Sequence, residues 1–215
     1  MKIGVFDSGV GGLSVANAIQ KDVPSHEVIF KNDKTHVPYG TRDPQEILGF
    51  VIPIFESLIA DGCQVIVVAC NTVSTTLIFE LRKRFTIPLI AIEPMIKPAA
   101  ALTKTGVIAV CATPTTLASD RYAELKSSYA KDITVLEPDC SDWSNMIEHQ
   151  QIEASRINQR IQRVLDANAD VIVLACTHYH WIEEQISILA YGKAKVLQPE
   201  SAIISELKRV LARLG

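Results

Sequence analysis

VIVVACNT at residues 65–72 returns as VIVLACTH at residues 171–178, 106 residues later in a chain of 215. Each copy is a β-branched apolar run that ends in Ala-Cys, with a threonine within two residues. Runs that are apolar at every position fit strands covered by helices on both faces, as in parallel sheets. The same phrase in each half of the chain predicts two half-molecules with a cysteine at matching strand ends.

Working outward, further short apolar runs stand at KIGVF (2–6), EVIFK (27–31), PLIAI (88–92), VIAVC (107–111), ITVLE (133–137) and KVLQ (195–198). They alternate with helical patterns, which predicts βαβ units. Asp43-Pro44-Gln45-Glu46 reads as a capping box with proline at the first helical position. Ile47, Val51, Ile54, Phe55, Leu58 and Ile59 follow at helical spacing, Gly62 can close the helix, and Pro53 is expected to bend it. The proline-bearing stretch 93–98 reads as a crossover between halves. The expected fold is α/β with two pseudo-symmetric lobes, each a mainly parallel sheet flanked by helices, and an active site in the cleft between them. Residues 1–95 with 193–215 are expected in the first lobe, and 96–192 in the second.

The net charge of −3 and the dispersal of basic among acidic residues argue against a nucleic-acid or membrane-surface partner. The N-terminal MKIGVFDSG reads as a first strand rather than a signal peptide, and no apolar run reaches the roughly 18 residues of a membrane span. Five cysteines without a C-x-x-C fit unpaired thiols in a reducing cytoplasm. No Cys/His cluster has zinc-ligand spacing, so no metal is expected.

In parallel sheets ligands bind beyond the carboxyl ends of the strands. Those ends carry Asp7-Ser8-Gly9-Val10-Gly11-Gly12, Cys70-Asn71-Thr72, Ala112-Thr113-Pro114-Thr115-Thr116 and Cys176-Thr177-His178. The glycine loop offers N–H groups to an anion; it also reads as a tight turn with Asp7 or Ser8 capping the next helix. It is neither a dinucleotide fingerprint nor a P-loop. One cysteine after an apolar strand is ordinarily a small core residue. Two at matching strand ends, each followed by polar residues, point to chemistry, and each is placed to feel a helix terminus that lowers a thiol's pKa. Cys111, followed by alanine, reads as core. His178 can carry or position a proton. Tyr39 and Gly40, in the turn before the capped helix, are ligand candidates by their hydroxyl and N–H. Paired identical acid/base groups suit a stereoinversion, in which one removes a proton and the other returns one to the opposite face.

Taken together, DSGVGG, VPYGTR, CNT, ATPTT and CTHY resemble the cofactor-independent aspartate/glutamate racemase family, in the family's order and from residue 3 to about residue 180. The resemblance implies Cys70 and Cys176 as paired bases, with Cys176 taking the proton from the L form and Cys70 from the D form. Asp7 and His178 are implied as assisting acid/base groups, and Asp7, Ser8, Tyr39, Gly40, Asn71, Thr72, Thr177 and His178 as substrate contacts. Glu148 is the counterpart of a further assisting carboxylate, in poorly matching surroundings. The implied substrate is glutamate, the implied product serves peptidoglycan, and the implied assembly is a homodimer; no cofactor is implied, and no Schiff-base lysine signature stands out. Aspartate or another acidic amino acid, or a non-catalytic amino-acid-binding role, are the alternatives. The chain departs from the family at His180 (usually proline), at Val73 (usually smaller), at Pro53, across 139–150, and in a C-terminus short by some tens of residues.

Overall fold

A computed structural model describes residues 1–215 and contains two four-stranded parallel sheets. The first consists of β1 (Lys2–Asp7), β2 (Glu27–Asn32), β3 (Cys63–Val68) and β4 (Leu89–Ala91), in the order β2-β1-β3-β4. The second consists of β5 (Val107–Ala112), β6 (Thr134–Leu136), β7 (Val171–Ala175) and β8 (Lys195–Leu197), in the order β6-β5-β7-β8. Both sheets therefore run second, first, third, fourth strand. The repeated phrase occupies the third strand of each, β3 and β7.

Alternate residues of these strands feed opposite cores. In β3, Val65 and Val67 face a cluster with Ile3, Val5, α1 (Gly12–Asp22) and α11 (Glu200–Leu214). Ile66 and Val68 face a cluster with Phe6, α2 (Pro44–Ala60), α3 (Asn71–Thr76) and α4 (Ile78–Arg84). In β7, Val171 and Val173 pack with α5 (Ile96–Leu102), the short α6 (Pro114–Leu117) and α7 (Asp120–Tyr129). Ile172 and Leu174 pack with α8 (Trp143–Glu148), α9 (Ala154–Asp166) and α10 (Glu183–Ala190). Period-two alternation with both faces apolar is what the uninterrupted hydrophobic runs encode.

Some local expectations change. The strand at 195–197, placed by sequence in the first lobe, pairs with β7 and completes the second sheet. Only α11 returns to the first sheet, where Ile203, Leu207 and Leu211 are buried. The capping box is half formed: the Asp43 side chain accepts from the Gln45 N–H at 2.8 Å, but Glu46 pairs with Arg42 at 2.8 Å. The α2 helix continues through Pro53 to Ala60, and Gly62 sits at φ +85° just beyond it, a conformation glycine adopts without penalty. No helix is long and apolar enough to cross a membrane.

The halves meet where the glycine loop after β1 abuts the turn after β7. A Cβ on Gly11 would stand 2.5 Å from the His178 backbone nitrogen and 2.7 Å from the Thr177 carbonyl carbon. Backbone cannot swing aside as a flexible side chain can. Gly11→Ala should therefore push the halves apart and cost about 1–3 kcal/mol, the range for overpacking, read as a fall in chemical-denaturation midpoint. Leu207→Ala, far from this junction, should cost about 2–5 kcal/mol through the cavity it leaves between α11 and the first sheet.

Candidate active site

In each sheet the strand order reverses between its first and third strands, β1 and β3 or β5 and β7. The carboxyl ends at such a reversal leave a crevice. Ser8 follows β1, Cys70 follows β3, Thr113 follows β5 and Cys176 follows β7, and all four line one cavity. It is nearly closed, with about 10 Å³ open to a water-sized molecule, and Pro38, Tyr39, Gly40, Asn71, Thr72, Ser144, Thr177 and His178 complete the wall. All of the sequence-assigned contacts line it except Asp7. Pro38, Thr113 and Ser144 were not assigned; the first two lie in motifs already singled out, while Ser144 had no signal of its own.

Asp7 lies beneath the cavity with no exposed surface. Its carboxylate accepts from the Gly12 N–H at 2.7 Å, from the Gly9 N–H at 3.4 Å and from the Thr177 hydroxyl at 3.2 Å. The anion expected over the glycine loop is thus supplied by the protein itself, and Asp7 caps α1 from the end of β1. A second carboxylate approaches the same loop: Glu148 accepts from the Val10 N–H at 3.2 Å.

The thiols differ in their surroundings. Cys70 is 4 % exposed, and its Sγ donates to the Ser8 hydroxyl at 3.5 Å. Helix-terminus lowering of its pKa does not prevail. Burial, reinforced by the Asp7 carboxylate, pushes Cys70 up to about 12 against the opposing pull of Ser8 and the Val73 N–H. Cys176 is 6 % exposed, 3.5 Å from the Ser144 hydroxyl and 3.8 Å from His178 Nδ1. His178 Nε2 lies 2.6 Å from Glu148. Burial alone would strip the imidazolium of its proton, but Cys176 and Glu148 hydrogen-bond it, and the balance lifts His178 to about 10. Glu148 is held below the usual glutamate range: burial opposes this, and hydrogen bonds from His178 and Val10 outweigh it. Asp7 is raised by burial, with His178 countering.

The remaining wall is polar and mostly satisfied. The Tyr39 hydroxyl donates to Asp33 at 2.7 Å, so its proton is committed away from the cavity. The Gly40 carbonyl accepts from the Thr115 N–H and hydroxyl at 3.0 and 2.8 Å. Thr72 and Thr113 share a hydrogen bond of 3.1 Å across the halves. Asn71 is the exception. It is 3 % exposed, and neither atom of its carboxamide has a partner. An unpaired buried amide costs about 1–3 kcal/mol, so Asn71 is set up to pair with something that enters. Cys63, Cys111 and Cys140 lie in the cores, and all five thiols are unpaired.

A family model described as Asp/Glu/Hydantoin racemase matches residues 13–207. The chain belongs to this racemase family. Among its relatives, the racemase from Ralstonia pickettii, a glutamate racemase, is 36 % identical over 217 residues, which span 99 % of this chain and 77 % of that protein. The Escherichia coli glutamate racemase, solved with L-glutamate and the activator UDP-MurNAc-ala, superposes with a TM-score of 0.88 at 27 % identity, covering 98 % and 82 % of the two chains. The Francisella tularensis glutamate racemase, solved with D-glutamate, gives 0.81 at 27 % identity, over 99 % and 81 %. The racemase fold is thus shared over nearly the whole chain.

The Glu148–His178 pair has a definite pH signature. His178 binds its proton more tightly when folded, about 10 against 6.5, so its contribution to stability is full below 6.5 and is lost as pH rises through about 10. Glu148 acts in the opposite sense: its contribution is present above its ordinary 4.5 and is lost as pH falls through the depressed folded value. Glu148→Gln should lower the His178 titration, followed by imidazole NMR, by at least about one unit. The stability gap between the variant and the parent should shrink as pH rises from 6.5 through about 10.

Proposed function

We propose that this racemase interconverts L- and D-glutamate by a two-base proton transfer between Cys70 and Cys176, with no added cofactor. The observation that carries the reading is the pair of thiols brought into one enclosed cavity from the third strands of two like-wound sheets. Charge on Cys176 is felt at Cys70, and both thiols line the same wall.

In this reading the amino acid enters with its α-carboxylate toward Asn71, Thr72 and Thr177, and with Ser8 and Gly40 as further contacts. The unpaired Asn71 carboxamide supports this placement. One cysteine, as thiolate, takes the α-proton; the other, as thiol, protonates the opposite face. Cys176 serves the L form and Cys70 the D form. The α-carbon is a weak acid, and burial helps here: a thiol pushed up to about 12 is, once ionised, a stronger base than an ordinary thiolate. The hydrogen-bonding wall and a dry cavity carry the charge that develops on the carboxylate. Asp7 and His178 assist from behind the thiols, Asp7 through the glycine loop and Thr177, His178 directly at Cys176. The cavity is too tight to admit glutamate freely, so the two sheets part as lobes and close again during turnover.

We extend the reading to a homodimer working in the cytoplasm and supplying D-glutamate for peptidoglycan, as the family resemblance suggests. Aspartate is the alternative substrate, and a substrate panel separates the two.

The deciding experiment is incubation of each glutamate enantiomer in D₂O. Inversion is followed by circular dichroism and α-deuteration by NMR. Early in the reaction the product should carry deuterium while recovered substrate retains its proton, because different thiols act on the two faces. Cys70→Ser and Cys176→Ser should each slow inversion by about 10²–10⁴-fold, the range for a positioned acid or base. Absence of both inversion and exchange with glutamate and aspartate would refute the racemase reading, and full activity in either variant would refute the two-thiol scheme.

A further inference from the structure

We infer that Ser144 is a positioning hydroxyl for Cys176, the counterpart of Ser8 at Cys70, and that it sets how Cys176 shares the work of proton transfer. The inference rests on the two-thiol reading above and adds a residue to it.

The two contacts match in length: Ser8 Oγ to Cys70 Sγ is 3.5 Å, and Ser144 Oγ to Cys176 Sγ is 3.5 Å. They do not match in origin. Ser8 follows the first strand of the first sheet, whereas Ser144 lies on α8, between β6 and α9. The pairing is therefore not a by-product of the repeated phrase. Two unrelated segments bring a hydroxyl to the same place beside equivalent thiols.

The surroundings give Ser144 one other partner, the Tyr179 hydroxyl. It is 5 % exposed, and its helix neighbours Trp143, Met146 and Ile147 belong to the apolar core. A hydroxyl buried there without a partner is costly. A helical serine commonly bonds the carbonyl four residues back, which here is Cys140. That carbonyl instead accepts from the Tyr179 hydroxyl at 2.9 Å. The same tyrosine packs edge-on against Trp143, with ring centroids 5.1 Å apart, and so docks the start of α8 on the turn that carries Cys176. Ser144 is thereby aimed at the sulfur.

The helix does this twice. Ser144 and Glu148 are four residues apart, hence on one face. Ser144 meets Cys176, while Glu148 holds His178, whose other ring nitrogen is 3.8 Å from the same sulfur. Cys176 thus lies between Ser144 and a His178 that the same turn of helix holds in place. A hydroxyl can donate to the thiolate and accept from the thiol. It can therefore follow the sulfur through both halves of the cycle without giving up its own proton: the α-proton passes from carbon to sulfur and the Ser144 proton stays on oxygen.

The two enantiomers have equal free energy, so kcat/KM must be identical in the two directions for any variant. A bias between the two directions can therefore appear only as a difference in kcat matched by an equal difference in KM. In Ser144→Ala the ratio of kcat for L-glutamate to kcat for D-glutamate should move at least about threefold from the parent value, with kcat/KM falling equally both ways by about tenfold, the loss expected for a hydrogen bond to a charged group. Alkylation by iodoacetamide, quantified by mass spectrometry, should slow about tenfold at Cys176 and stay within about twofold at Cys70. Ser144→Thr, which keeps the hydroxyl, should recover most of both effects. An unchanged kcat ratio, or equal slowing of the two thiols, would overturn the inference. Failure of the parent protein to racemise would instead defeat the two-thiol reading, and the alkylation comparison would still decide whether Ser144 acts on Cys176.

Discussion

A single carboxylate with no exposed surface ties the centre of this molecule together. Asp7 gathers two backbone N–H groups of its own glycine loop and the Thr177 hydroxyl of the opposite half. Everything at the site depends on that knot. It fixes the start of α1, ties the loop to the turn after β7, and sets a carboxyl group near the first thiol. Burial of a carboxylate is costly and raises its pKa; the fan of donors and the nearby His178 offset that cost. The residue is better understood as a structural hub with electrostatic reach than as a direct wall of the cavity.

The same knot makes the two thiols unequal. On one side Asp7 lies close to Cys70 and disfavours its ionised form. On the other, the His178–Glu148 pair brings a protonated imidazole to Cys176, with Glu148 anchored on the glycine loop through Val10. Like-wound sheets provide equivalent positions; what surrounds those positions comes from loops and from α8, which the repeat does not govern. A site that must treat mirror-image molecules evenly is thus assembled from unlike parts.

The strands were legible because their apolar runs are short, rich in β-branched residues and alternate with helical patterns, which fits strands covered on both faces. Cys70 and Cys176 were legible because the phrase is repeated. The eighth strand was assigned to the wrong sheet because three residues, Lys195–Leu197, carry too little pattern to indicate a neighbour. Asp7 was legible as a functional position but not as a buried hub, since only the fold shows that Gly9 and Gly12 turn their N–H groups inward to it. Glu148 was reached only through the family resemblance and Ser144 not at all, because both sit on a six-residue helix whose sequence shows no periodicity worth reading. Their contacts are tertiary, made with residues some 30 positions away. The expected lowering of the Cys70 pKa failed for a similar reason. The helix terminus is a local feature visible in the sequence, and the desolvation that overrides it is not.

Both thiols are cut off from bulk water, at 4 % and 6 % exposure. In the proposed cycle the two sulfurs hold one proton between them; each turnover delivers that proton to the product and takes the substrate's α-proton onto the sulfur that began as thiolate. The protein released with D-product is therefore primed for the D form and must move a proton internally, or open to solvent, before it accepts L again. Seclusion gives the catalyst a memory of the last molecule it handled, and how quickly that memory fades sets a ceiling on flux that no improvement in the chemical step can lift.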